Sequence, residues 1–145
     1  MSKLISDLHI SIQFKAKSTL DAMFDDEKLK KLGVSGIEIS ETRRELSVQM
    51  AYYSRGRMAV EDVKAMYKAA GLYDISSEEA KSCNTWTLES KHLLGLAVDF
   101  VPMKNGKYWW NAPNEVWERM GEIGRSYGMK WGGDWRNRDC PHFEA

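Results

Sequence analysis

The 145-residue chain balances 21 Lys and Arg against 21 Asp and Glu, with 43% hydrophobic and 29% charged residues. That length fits a single domain over residues 1–145, large enough to bury a core, and the zero net charge argues against a nucleic-acid binder working through bulk positive charge. Two cysteines, Cys83 and Cys140, are too few for a disulfide framework, and no run approaches the roughly 18 consecutive apolar residues of a membrane span.

Residues 9–14 alternate polar and apolar, which fits a short strand or the approach to a helix. From Ser18 the spacing of Leu20, Met23, Phe24, the stem of Lys28, and Leu32 predicts a helix. Ser18 is its N-cap, Asp21 lies in its first turn and Gly33 is its stop. His9 has no ligand-like neighbours and reads as a surface or packing histidine. Residues 36–40 predict a half-buried strand with Ile37 and Ile39 on one face. Ser40 or Thr42 then caps a helix with Leu46, Met50 and Tyr53 on its apolar side, closed by Arg55-Gly56-Arg57. Arg44 falls in its first turn, where the macrodipole disfavours a cation, a mild sign of function.

Residues 60–70 form an amphipathic helix with Val60, Val63, Met66, Tyr67 and Ala70 buried and Gly71 as its stop. Residues 72–89 are irregular and polar, a loop or lid with at most a helical turn. A strand follows Gly95 and ends at Pro102, and Lys104-Asn105-Gly106-Lys107 is a turn. Pro113 opens a helix that runs to about Tyr127, with Val116, Met120, Ile123 and Tyr127 inward and Gly128 as its stop. Residues 129–131 read as a strand, Gly132-Gly133 as a turn, and residues 141–145 as a closing edge strand. The predicted class is α+β: one compact domain whose small antiparallel sheet carries the candidate site and is flanked by helices.

The chemistry concentrates in S-K-H-L-L-G-L-A-V-D-F-V, residues 90–101, and in the C-terminal W-G-G-D-W-R-N-R-D-C-P-H-F-E-A. In an extended segment alternate residues share a face, so Leu96, Val98 and Phe100 point to the core, and Ala97, Asp99 and Val101 point the other way. Gly95 lets the chain turn so that His92 approaches Asp99. His142 completes two His and one Asp, which satisfies a catalytic zinc site with its fourth position open to water. Asp139, three residues before His142, can take and return the proton of a water whose pKa zinc lowers to about 7. Cys140 is a small thiol beside the site or, alternatively, a competing soft ligand. Trp109, Trp110, Trp117, Trp131 and Trp135 are either core aromatics or a rim that grips a glycan or peptide.

These motifs, S-x-H-x-x-G-x-A-x-D followed by G-G-D-W and D-C-P-H-F, resemble those of a zinc peptidase family. It includes VanY-like D-Ala-D-Ala carboxypeptidases, VanX-like dipeptidases and phage L-alanyl-D-glutamate endopeptidases. The segment E-T-R-R-E-L-S-V-Q, with Arg44 five residues before Gln49, resembles the family's arginine-containing segment, so the likeness runs from Gly36 to the C-terminus. It implies zinc (Zn2+) held by His92, Asp99 and His142, Asp139 as general base and acid, and Arg44, or by a slip of one position Arg43, stabilising the oxyanion or orienting the substrate. Ser90, Gln49 and Trp131 are expected to contact substrate. The implied activity is hydrolysis of the L-Ala–D-Glu bond in peptidoglycan stem peptides. The alternatives are a D-Ala-D-Ala carboxypeptidase or dipeptidase, and a non-catalytic cell-wall-binding domain. Without a signal peptide or wall-binding module, the expectation is a monomeric phage endolysin made in the host bacterial cytoplasm. It would bind neither nucleic acid nor, stably, the membrane, and would reach the wall through a separate holin-type protein.

Overall fold

The computed structural model describes residues Met1–Ala145. The first helix, α1 (Ile10–Asp25), begins well before Ser18, because His9 caps it: the ring Nδ1 accepts from Ser11 N at 3.2 Å. Ile12, Ala16, Thr19 and Met23 form its buried stripe, while exposed Ile10 and Phe14 put apolar residues on both faces and obscure the period in the sequence. The helix does not run through to Leu32. Asp26 interrupts it and caps a second helix, α2 (Glu27–Lys31), by accepting from Leu29 N at 3.0 Å. Gly33 ends that unit at φ +102°, a conformation suited to glycine.

The sheet is built around β2 (Ala97–Lys104), flanked on one side by β1 (Gly36–Glu41) and on the other by β5 (His142–Glu144), which pairs in turn with β4 (Lys130–Trp131). The short β3 (Lys107–Tyr108) folds back on β2 through Asn105 and Gly106, both at positive φ as a tight hairpin requires. Two expectations change here. Pro102 does not end its strand: it pairs with Ile37 and offers its carbonyl to Trp109 N at 2.8 Å, which a proline can do without an N–H. The C-terminal strand is not an edge but lies between β2 and β4, with Phe143 opposite both Val98 and Trp131.

Helix α6 (Asn114–Ser126) packs Val116, Met120 and Ile123 against this sheet together with α1 and α2, whereas Tyr127 at its C-cap is exposed instead of inward. Gly121 and Gly124 allow the close approach, since a Cβ on either would collide with the ring of Trp131 or Phe143. A second, smaller core joins α3 (Leu46–Ser54), α4 (Val60–Ala69) and α5 (Ser77–Ala80) through Ala51, Val63, Tyr67, Ile75 and Ala80. The buried face of α3 is Val48, Gln49, Ala51 and Ser54, so Leu46 and Met50 point outward, contrary to the sequence pattern. Its N-cap is Glu45 because β1 extends to Glu41, and Arg44 therefore precedes the helix and meets no macrodipole conflict. Apart from α5, residues 72–89 are irregular as expected, apart from short turns, and part of this segment walls the cleft described next. No helix is long and apolar enough to cross a membrane.

Candidate metal centre

His92 sits in a 3-10 turn (Lys91–Leu94) whose N-cap is Ser90, the hydroxyl accepting from His92 N at 3.2 Å. Gly95 ends the turn at φ +68°, where a Cβ would press on the backbone of His9. The chain then enters β2 and reaches Asp99. Strand pairing completes the set, because Asp99 lies directly opposite His142 across the β2–β5 ladder and paired residues project from the same face. On the other side, the register of β1 shifts between Ile39 and Glu41, so that Glu41 rather than Ser40 stands opposite Asp99. That bulge lines up Glu41, Asp99 and His142 in one row across three strands.

One ligand atom from each of His92, Asp99 and His142 lies within 4.8 Å of the others. His92 Nε2 is 3.1 Å, and His142 Nδ1 3.4 Å, from Asp99 Oδ1. Both rings are buried, at 2% and 5% exposure. Their outer nitrogens are occupied: His92 Nδ1 donates to the Thr42 carbonyl at 2.6 Å, and His142 Nε2 faces Glu144 Oε2 at 3.3 Å. Those outer partners fix the tautomers and turn the lone pairs of His92 Nε2 and His142 Nδ1 toward Asp99. Two imidazoles and a carboxylate so oriented fit a divalent zinc-type cation. Burial would raise the pKa of Asp99, but the His142 and His92 rings, which donate to it when protonated in place of holding a metal, keep it far below the carboxylate range. His142 is also buried, which disfavours its charge, yet its bond to Asp99 moves its pKa upward. Protons and a metal ion thus compete for the same donors.

Asp139 stands beside this set without joining it, its Oδ2 4.0 Å from His142 Nδ1. The turn that carries both residues closes on Gly132, whose carbonyl accepts from Asp139 N at 2.9 Å, and a Cβ on Gly132 would strike the Asp139 backbone. The Asp139 side chain is 52% exposed, but to the cleft, whose walls desolvate it. That desolvation, and then the negative charge of Asp99, push its pKa up. Arg44 is held from behind. Glu41 accepts from its Nε and Nη2 at 2.6 Å each, Gln49 Oε1 accepts from Nη1, and the guanidinium lies over the Tyr52 ring. Burial opposes its charge, but Glu41 outweighs it and raises the pKa. Burial likewise pushes the Tyr52 hydroxyl up to about 12. The adjacent Arg43 is exposed and lines no part of the cleft.

The cleft has a wider lobe of about 810 Å³ and a narrower one of about 300 Å³, which share Arg44, Thr85, Thr87, Trp135 and Asp139. Ser90 borders the narrower lobe. Gln49 is fully buried and donates to the Thr87 carbonyl at 2.7 Å, so it positions Arg44 and the cleft wall and is not open to substrate. Trp131 is 1% exposed and stands behind the site, its indole N–H donating to the Cys140 carbonyl at 2.7 Å. The sequence reading of Trp131 as a substrate contact therefore gives way to a supporting position. Trp117 is also core, whereas Trp110 and Trp135 line the wider lobe together with Trp86, which the sequence reading did not single out. Glu41 was missed as well, although a glutamate three residues before the site arginine was a signal for it. Cys140 lies outside the ligand group, and both cysteines are free thiols.

A family model described as D-alanyl-D-alanine carboxypeptidase matches residues 84–145. The peptidoglycan L-alanyl-D-glutamate endopeptidase CwlK of Bacillus subtilis (strain 168) is 37% identical over a match that covers 39% of this chain and 39% of that protein. Among solved structures, the Serratia marcescens L-Ala D-Glu endopeptidase ChiX superposes with a TM-score of 0.56 at 21% identity, over 97% of this chain and 81% of that one. A mutant of the vancomycin resistance D,D-pentapeptidase VanY from a VanB-type cassette, in complex with Zn(II), superposes with a TM-score of 0.52 at 20% identity, over 94% and 71%. At such identities the superpositions establish a shared fold. The stretch matched by the family model, residues 84–145, contains His92, Asp99, Asp139 and His142, and the match to CwlK spans about two fifths of that protein's length.

Proposed function

We propose that this protein is a zinc-dependent peptidoglycan peptidase that cleaves the L-Ala–D-Glu bond of stem peptides. The observation that carries the reading is the convergence of His92, Asp99 and His142, with Asp139 beside them, in a cleft that continues on both sides of the site. Space on both sides suits a bond within a chain better than a terminal one. The likeness to CwlK and ChiX points the same way. His92, Asp99 and His142 would hold the zinc, which when bound would supply a Lewis acid and lower the pKa of a water to about 7. Asp139 accepts the proton of the attacking water on its carboxylate and returns it to the leaving amine nitrogen. Its raised pKa suits that double duty. Arg44 offers its remaining N–H groups to the oxygen of the scissile carbonyl, with Glu41 and Gln49 holding the guanidinium still. Ser90 borders the narrower lobe, where substrate passes. Within this reading the protein is a monomeric wall-lytic enzyme of the endolysin type that depends on a holin-type protein for access to the wall.

The family model's description favours a second reading, a D-alanyl-D-alanine carboxypeptidase. Mass spectrometry of digested muropeptides separates the two. The endopeptidase leaves a new D-Glu amino terminus, whereas stems trimmed only of terminal D-Ala would select the carboxypeptidase. Treatment with a chelator should abolish hydrolysis and added zinc should restore it. Hydrolysis unaffected by the chelator would overturn the metallopeptidase reading.

A further inference from the structure

The two lobes differ in charge. In the wider lobe, Arg44 is matched by Glu41 and Arg138 by Glu118 at 3.0 Å. Asp99 is shared by the two histidines, and Asp139 lies where the lobes meet. Arg55 and Arg136 are left without a carboxylate partner. Arg55 is held in place by neutral acceptors, the carbonyls of Glu79 and Ser82 at 3.0 and 3.2 Å and the Ser82 hydroxyl at 3.0 Å, so its position is preorganised while its charge is uncompensated. Arg136 is exposed at the same lobe and makes no ion pair. Trp86 and Trp110, which also line it, are 70% and 53% exposed, a large aromatic area for a polar cleft to leave uncovered. The narrower lobe is the opposite in charge: Glu89 and Glu144 outnumber Lys91, and Trp135 is its one hydrophobic lining residue.

Resting on the peptidase reading above, we infer that the wider lobe is a carboxylate-binding subsite, in which Arg55 and Arg136 engage the free carboxylate of the D-glutamyl side of the substrate. The stem peptide then runs in one direction only, with its small neutral L-Ala in the narrower lobe. A D-glutamyl residue linked onward through one carboxyl keeps the other free, and arginine is the side chain that meets a planar carboxylate with two parallel N–H donors. The acidic narrower lobe repels that group and so excludes the reversed orientation.

The test uses the zinc-loaded full chain and two synthetic stem peptides, one with the D-Glu carboxylate free and one with it amidated. The wild type is expected to favour the free acid by about tenfold in kcat/KM, through KM. Arg136→Gln, on an exposed side chain with no structural bonds to lose, and Arg55→Gln should each bring the free acid toward the level of the amide. Arg55→Lys should recover part of the preference. Arg43→Gln removes the same charge outside the cleft and should keep the preference intact. Equal cleavage of acid and amide by the wild type, or an equal loss on both in the arginine variants, overturns the subsite and leaves the peptidase reading standing. If neither peptide is cleaved, the peptidase reading fails, and binding of the D-glutamyl peptide followed by tryptophan fluorescence decides the subsite. Acid-selective binding lost in Arg136→Gln supports it, and absent or unselective binding overturns it.

Discussion

Glu41→Gln is the most informative single change outside the ligand set. Glu41 and Arg44 are both nearly buried, with side-chain exposures of 8% and 11%, and are joined by two charge-assisted hydrogen bonds of 2.6 Å. A glutamine keeps the shape but offers one acceptor, turns a donor toward the guanidinium and leaves a buried cation without its counter-charge. Losing one charge-assisted bond costs about 1.5–3 kcal/mol, and breaking a buried pair by removing one partner about 3–5 kcal/mol. Since Arg44 retains its bond to Gln49, about 2–4 kcal/mol of stability should be lost. The released guanidinium need shift only about 1 Å for kcat/KM to fall on the order of 100-fold. Urea unfolding followed by tryptophan fluorescence measures the first quantity, and muropeptide hydrolysis the second. A double variant, Glu41→Met with Arg44→Met, should regain much of the lost stability while hydrolysis stays low, which separates the structural pair from the catalytic role proposed for Arg44. If Glu41→Gln stays within about 0.5 kcal/mol of the wild type and hydrolyses at full rate, the pair neither supports the fold nor positions Arg44.

Asp139→Asn should retain bound zinc, because Asp139 lies outside the ligand group, and lower kcat by about 10²–10⁴-fold; metal analysis beside the rate measurement checks both halves. Asp26 accepts from Arg119 Nε and Nη2 at 3.1 and 2.8 Å, and these bonds hold its pKa below the usual carboxylate value. Its contribution to stability is therefore fully present above the unfolded value near 3.9 and disappears as pH falls through the lower folded value. Asp26→Asn should cost about 1–2 kcal/mol at neutral pH in urea unfolding, and the gap should narrow in strong acid. Gly121→Ala forces a methyl into the Trp131 ring, and the overpacking cost of about 1–3 kcal/mol should outweigh the gain in helix propensity of up to about 1 kcal/mol. The expected result is a lower Tm.

Much of the site could be read before any fold was known. His92 and Asp99 are linked by local rules: a capped turn, a glycine at positive φ and the period of a strand. Asp139 and His142 share one tight turn for the same reason. The partners that hold these residues were hidden. Gln49 reads as a substrate contact until α3 is seen to bury Val48, Gln49 and Ala51 in place of Leu46 and Met50. Glu41 enters the row only through a bulge that a single sequence does not display. Trp131 and Trp135 differ by four positions and cannot be told apart by composition, yet one is core and the other lines the cleft.

By itself, then, the sequence determined the donor types, their local spacing, the α+β class and most turns, because each rests on interactions among near neighbours along the chain. Only the tertiary structure decided that the C-terminal strand lies centrally between β2 and β4, bringing His142 opposite Asp99. It also decided which arginine is clamped and which aromatic rings remain open to a ligand. Those outcomes depend on strand register and on which helix face finds a core, and both are set by packing between segments far apart in the chain.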